Sequence, residues 1–519
     1  MNTIVVVLGL LVLATIFAGI ARRLRLPEPI ILTIAGVAVG LLPGVPAFEL
    51  EPELVFLFFL PPILYGAGYF TSIRDFKANL RPILLLSVGL VLFTTVVVAA
   101  VLKYFVPDIP WPAAFAFGAI VSPPDAVAAT SVLRRLHVPR RILTILEGES
   151  LVNDATALVL LRTSVAIALG TLTFSPVSLT TDFVVVAVGG ILIGLVVARI
   201  AGVFMTRIQD SDLGIVFSLL VPLIAYLPAE LLGVSGVLAV VVAGIYAGRI
   251  AARSMTSAQR IDGLAAWNVV LFVINGLVFI LIGLQLPVIL EELDGTASQL
   301  IGLALIMSLT VIVSRFVWVF PATWLPRKLS RRLRERDPYP GWRYVVLVSW
   351  AGMRGVVSLA AALSLPIDFP QRSLIQFLTF TVIIATLVVQ GSTLPVVIRW
   401  LGITSGDGEV EEERSARVAA AEAALARIDA LEKEYPDHKP LIDHLRETYA
   451  HRLEHIDISD GTPADEAEQE LLEHREMRRK VIDAEREAVI AMRDRGELSD
   501  EVMRRLERDL DLEELREDA

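Results

Sequence analysis

Cysteine is absent from the 519-residue chain. That excludes disulfides and thiolate-held metals, and it leaves the redox compartment unreadable. Histidine is scarce, with five of the six (His438, His444, His451, His455 and His474) lying beyond residue 405. Neither His-Glu-x-x-His nor Gly-x-Gly-Asp occurs, so zinc and aspartyl intramembrane proteases both lack their signatures. No enzymatic activity, cofactor or nucleic-acid partner is expected. A basic stretch ahead of the first apolar run is missing too. Arg22, Arg23 and Arg25 follow that run, so the first segment reads as a retained helix with its N-terminus outside, not a cleaved signal.

Apolar residues make up 55% of the chain and the mean hydropathy is +0.66, which specifies a polytopic all-α membrane protein. About thirteen apolar spans can be read, at roughly 3–21, 29–47, 52–70, 81–103, 111–131, 143–169, 182–206, 212–228, 232–250, 266–287, 299–320, 344–364 and 374–398. Basic joins (Arg22/Arg23/Arg25, Arg74/Lys77/Arg81, Arg134/Arg135/Arg140/Arg141, Arg199/Arg207, Arg249/Arg253/Arg260 and Arg327 to Arg343) fall on every second connection. Joins such as Glu49 to Glu53 and Glu291 to Asp294 are acidic. The positive-inside rule then puts the N-terminus outside and the C-terminal tail in the cytoplasm.

Charge divides the chain at about residue 405. Residues 406–519 hold 35 acids and 18 bases, a net of −17, against −10 for the whole chain. Residues 1–405 read as the membrane domain and 406–519 as an acidic, soluble, regulatory tail, with helices at 409–434, 441–457, 464–495 and 499–517.

Thirteen spans suit two inverted six-span halves with the seventh as a linker. In the fifth, Ser122-Pro123-Pro124-Asp125 interrupts the apolar run, and adjacent prolines cannot sit in an unbroken helix interior. In the twelfth, Gly352-Met353-Arg354-Gly355 places a charge between glycines. Broken helices at equivalent positions mark transporter binding sites. Pro123 and Asp125 are assigned to the helix crossover, with Asp125 complementing the positive end of the following half-helix.

The sixth span holds Glu149-Ser150-Leu151-Val152-Asn153-Asp154, and ionisable groups at membrane depth are kept for function. Helical spacing puts Ser150 and Asp154 on one face, and Glu149 and Asn153 on the next. Asp154 and Ser150 offer oxygen ligands to a hard monovalent cation, and exposed carbonyls in the fifth-span break add more. Glu149 needs a partner of its own, for which Arg354 is the candidate.

These residues resemble the monovalent cation:proton antiporters that include the bacterial and eukaryotic Na+/H+ exchangers. The resemblance covers about residues 1–400 and rests on Gly148 to Asp154, Val121 to Val127, Gly352 to Gly355, Leu60 to Tyr65 and Val389-Gln390-Gly391. It implies a homodimer in the cell membrane, with a scaffold and a core that moves as an elevator, and a role in pH regulation. Asn153-Asp154 implies the electroneutral branch, exchanging one cation for one proton. The implied cation- and proton-binding set is Asp154, Asn153, Ser150, Ser122 and Pro124, with Asp154 the ligand of the monovalent metal ion, and Glu149 with Arg354 is the implied structural ion pair. Two positions depart from the family pattern: Gly66 stands where several relatives carry an acid, and Ser122-Pro123-Pro124-Asp125 replaces Ser-Ala-Thr-Asp. Na+ is the expected substrate, with K+ or Li+ as alternatives. A membrane-embedded sensor signalling through the tail is a different class of reading.

Overall fold

The computed structural model describes residues 3–24, 26–43, 51–136, 138–208, 210–291, 296–403, 408–458, 464–495, 497–498 and 500–518. Arg25, Glu49 and Glu292 to Asp294 of the charged joins lie outside the described residues. Among those described there is no strand. The chain forms two compact units, Met1–Ser405 and Gly406–Ala519.

The first unit opens with α1 (Thr3–Leu24), α2 (Glu28–Gly40), α3 (Pro52–Phe70) and α4 (Leu80–Phe105). It continues with α5 (Trp111–Val121), α6 (Ala126–Arg135), α7 (Arg140–Ala168) and α8 (Pro176–Met205). Next come α9 (Ser211–Leu231), α10 (Gly236–Ser254), α11 (Ser257–Glu291) and α12 (Ala297–Leu329). It closes with α13 (Trp342–Trp350), α14 (Val356–Leu363) and α15 (Arg372–Leu401). Nine helical segments among the described residues are long and apolar enough to cross a bilayer, beside the shorter apolar helices Glu28–Gly40 and Gly236–Ala251. In hydrocarbon every backbone polar group must be satisfied within the segment, so runs this apolar fold as helices despite their many β-branched residues.

Three spans contain a π-helical turn, at Val55–Phe59, Leu85–Leu90 and Thr386–Gln390. The first adjoins Pro61 and Pro62, whose rings clash with the preceding turn and whose missing N–H groups leave carbonyls free. In the second, the Leu85 carbonyl accepts a hydrogen bond from Trp318 Nε1 at 2.9 Å.

Glycines bring helices into close approach. Gly68 of α3 faces the Val241 carbonyl of α10, while Gly244 and Gly248 of α10 face the carbonyls of Tyr65 and Tyr69. Small residues let backbones meet where lipid supplies no hydrophobic drive.

Two non-helical breaks interrupt this framework, Ser122–Asp125 between α5 and α6 and Ala351–Gly355 between α13 and α14. They cross each other: the Asp125 N–H donates to the Met353 carbonyl at 2.7 Å.

The second unit contains α16 (Gly408–Glu434), α17 (Lys439–Ile458), α18 (Ala464–Asp494) and α19 (Asp500–Asp518). Arg446 of α17 reaches Asp429 and Glu432 of α16, and Arg486 of α18 reaches Asp511 and Glu514 of α19. These are two helical pairs with charged seams.

Candidate ion site

Helix α7 carries Glu147 to Asp154 past both breaks. Asp154, Ser150, Pro123, Pro124 and Asp125 border one cavity of about 500 Å3, with Gly355 of the second break and Ser358 of α14. Gly66, Asn268 and Asn275 complete its wall. Asp154 is 6% exposed and has no basic partner among the described residues. Ser150 Oγ accepts from the Ala126 N–H at 3.3 Å, so the serine also anchors the first turn of α6. At its other end the cavity reaches the Arg134–Glu147 ion pair, which is 2.7 Å long.

Asp125 is the N-cap of α6. Its Oδ1 accepts from the Val127 N–H at 2.8 Å, which satisfies an orphan donor of the helix start. Its other carboxylate oxygen lies against Gly355, where any side chain would overlap it. One carboxylate therefore sits beside the N-terminal ends of two half-helices, α6 and α14, whose partial positive charges offset its own.

The remaining expected ligands are placed differently. Ser122 and Asn153 are fully buried and do not border the cavity. Ser122 Oγ donates to the Ala119 carbonyl at 3.0 Å. Asn153 Nδ2 donates to the Pro124 carbonyl at 2.8 Å, tying α7 to the first break. Its Oδ1 is buried with no hydrogen-bond partner among the described residues.

The expected Glu149–Arg354 ion pair is corrected by the structure. Glu149, 1% exposed, is gripped by Arg315 of α12. Nη1 meets Oε1 at 2.5 Å and Nη2 meets Oε2 at 2.7 Å. Arg315 Nε donates to the Val348 carbonyl at 3.0 Å. Arg354 instead donates to backbone: Nε to Val121 O at 3.0 Å, Nη2 to Ser122 O at 3.4 Å, and Nη1 to Gly352 O. Its own N–H donates to Thr386 Oγ1 at 3.1 Å. The physical reason is that α5 ends abruptly and strands its last carbonyls in the interior. A guanidinium satisfies several of them together and complements the negative end of the helix.

Reading the sequence missed Arg315, although the signal was present: a lone charge in the apolar run 299–320. Asn268 and Asn275, which no motif singled out, also border the cavity.

A second cavity, of about 670 Å3, lies toward the other end of α7, bordered by Glu53, Leu158, Arg162 and Glu230. Arg162 and Glu230 pair there at 2.7 Å. Arg162 is eight residues beyond Asp154, about 12 Å along the helix.

The family model for the transmembrane sodium/hydrogen exchanger matches residues 9–400. The chain belongs to this exchanger family. It is 35% identical over 525 residues to an uncharacterized Na+/H+ exchanger of Mycobacterium bovis, covering 99% of this chain and 96% of that one. A sodium, potassium, lithium and rubidium/H+ antiporter of Bacillus subtilis is 36% identical over 421 residues, 76% of this chain and 62% of the relative. The structure of a sodium proton antiporter from Methanocaldococcus jannaschii superposes with a TM-score of 0.61, 77% of this chain on 98% of that one. At 21% identity that likeness is one of fold. In this exchanger, then, both crossed breaks lie within the region that the family model matches.

Proposed function

We propose that this exchanger swaps one monovalent cation, Na+ first among them, for one H+, with Asp154 binding each in turn. The observation that carries this is Asp154 itself: a carboxylate without a basic partner among the described residues, beside Ser150, open to a cavity bounded by both helix breaks. A buried, unneutralised carboxylate is too costly to move through a low-dielectric interior. Bound Na+ or H+ removes that cost equally, so either allows the moving step and the empty anion does not. Exchange one for one follows without any further energy source. The neighbouring Asp125 has its charge offset by half-helix ends and remains a fixed part of the crossover.

Around this site the proposed architecture is thirteen spans in two inverted six-span halves, linked by α8, with α5/α6 and α13/α14 as the equivalent broken members. The two cavities, at opposite ends of α7, support alternating access, and an elevator movement of the core would exchange their roles. The cavity bearing Asp154 runs to the Arg134–Glu147 end, so by the positive-inside rule this state faces the cytoplasm. The exchanger is proposed to be a homodimer in the cell membrane. Its N-terminus lies outside, and residues 406–519 form a cytoplasmic, regulatory unit in pH homeostasis.

Na+, K+ and Li+ are all within reach of the site. The likeness to a Bacillus subtilis antiporter named for sodium, potassium, lithium and rubidium favours a K+/H+ activity as the second reading. Gly66 in the cavity wall supplies no side-chain ligand, so coordination falls to Asp154, to hydroxyls and to carbonyls, a set with little demand on ion size. Everted vesicles carrying an acid-inside gradient and a pH-sensitive dye test both readings. Added Na+ should release the gradient with or without a clamped membrane potential. A rate that follows the potential contradicts one-for-one exchange, and a response to K+ alone selects the second reading.

A further inference from the structure

Away from the ion site, α4, α7, α12 and α13 enclose a smaller cavity of about 220 Å3. Its floor is apolar, with Leu85, Leu86, Ile142, Ile145 and Val345 among its residues, and its rim carries Arg81, Arg141 and Arg327. One acid serves all three arginines. Asp337 lies 2.6 Å from Arg327 Nη2, 2.8 Å from Arg141 Nη2 and 3.9 Å from Arg81 Nη2. Burial alone would raise the Asp337 carboxyl, but the Arg141 hydrogen bond and the charges of Arg141, Arg327 and Arg81 outweigh it and hold it below the usual carboxylate range. Three cations facing one ionised carboxylate leave the rim with an excess of positive charge.

The donors are unequally used. Arg141 Nε donates to Asn79 Oδ1 at 3.0 Å, and Arg327 donates to the Asp337 and Thr323 carbonyls at 3.0 and 2.5 Å. Arg81 differs: its Nε and Nη1 are buried with no hydrogen-bond partner among the described residues. Buried donors left unmet are costly, and a bound anion beside them would meet them.

We propose that this cavity binds an anionic phospholipid, its phosphate on Arg81 and the flanking arginine charges, and its first acyl carbons on the apolar floor. Arginine forks suit phosphate as they do carboxylate. The source is a lipid because a free phosphate gains nothing from the floor. The arginine-rich end of the spans is also the side on which basic pockets between helices meet anionic headgroups. The site reaches the buried ion pair through one residue. Val348 lines the cavity, and its carbonyl accepts from Arg315 Nε. Lipid seated there braces the wall behind Arg315 and Glu149.

The test uses the purified, delipidated full chain, with dioleoyl phosphatidylglycerol, phosphatidylcholine of the same chains, or inorganic phosphate. Native mass spectrometry should retain phosphatidylglycerol, whose addition should raise the unfolding midpoint while the other two leave it unchanged. Arg81→Gln should cut phosphatidylglycerol retention about fivefold, the worth of one arginine near a headgroup. Ala322→Phe, which fills the cavity from α12 with every arginine in place, should also weaken retention. Undiminished retention in Ala322→Phe overturns the proposal, whether or not Arg81→Gln folds. So does an equal response to phosphatidylcholine, while a midpoint raised by inorganic phosphate alone shows a free-anion site and refutes the lipid.

Discussion

Arg315 and Glu149 meet through two parallel hydrogen bonds of 2.5 and 2.7 Å, both side chains 1% exposed. The pair joins α7, which carries Asp154, to α12, and through Val348 to α13. Removing one partner of such a buried pair strands the other charge, at about 3–5 kcal/mol. Glu149→Gln and Arg315→Ala should therefore each lower the unfolding midpoint of the detergent-solubilised protein sharply. The double replacement Glu149→Leu with Arg315→Met should recover much of the loss, because no uncompensated charge remains. A double variant as unstable as the two losses combined contradicts this account of the pair.

Arg354 holds carbonyls, not a carboxylate. Lysine supplies a point charge without the planar fork, so Arg354→Lys should destabilise nearly as much as Arg354→Ala. Full stability in Arg354→Lys, measured by thermal unfolding, would show that charge alone suffices.

Gly355 has no room for a side chain because the Asp125 carboxylate occupies it. Gly355→Val should destabilise by about 1–3 kcal/mol, the range for overpacking, and abolish exchange by separating the two breaks. Gly263→Val, at a position with open space, is the control and should do neither.

Protons and cations compete for Asp154 in the proposed cycle, so acidity should act on apparent affinity. Below the carboxyl midpoint, each unit fall in pH should raise the half-saturating Na+ concentration about tenfold. A maximal rate that falls with pH at constant half-saturation contradicts competition.

How far the sequence spoke depended on whether the signal was local. Pro123, Pro124 and the glycine pair around Arg354 break helices by their own chemistry, and both breaks lie where those residues stand. In the tail, Pro436 stands between the helices Gly408–Glu434 and Lys439–Ile458 in the same way. Pairing was not legible, because Glu149 and Arg315 are 166 positions apart and nothing in one sequence ranks Arg315 against Arg354. The resemblance implied Asn153 and Ser122 as ligands, but the faces they turn inward depend on how α5 and α7 pack. Hydropathy found the run at 344–364 without showing that it forms helices of nine and eight residues.

The central claim is that the Asp154 carboxylate is the exchanged site, and Asp154→Asn in everted vesicles tests it most directly. Asparagine keeps the size and removes the charge. With protein amounts and unfolding midpoints matched to wild type, the variant should give no dye response to Na+, K+ or Li+ at any pH. Cation-driven release of the gradient at the wild-type rate would contradict the account.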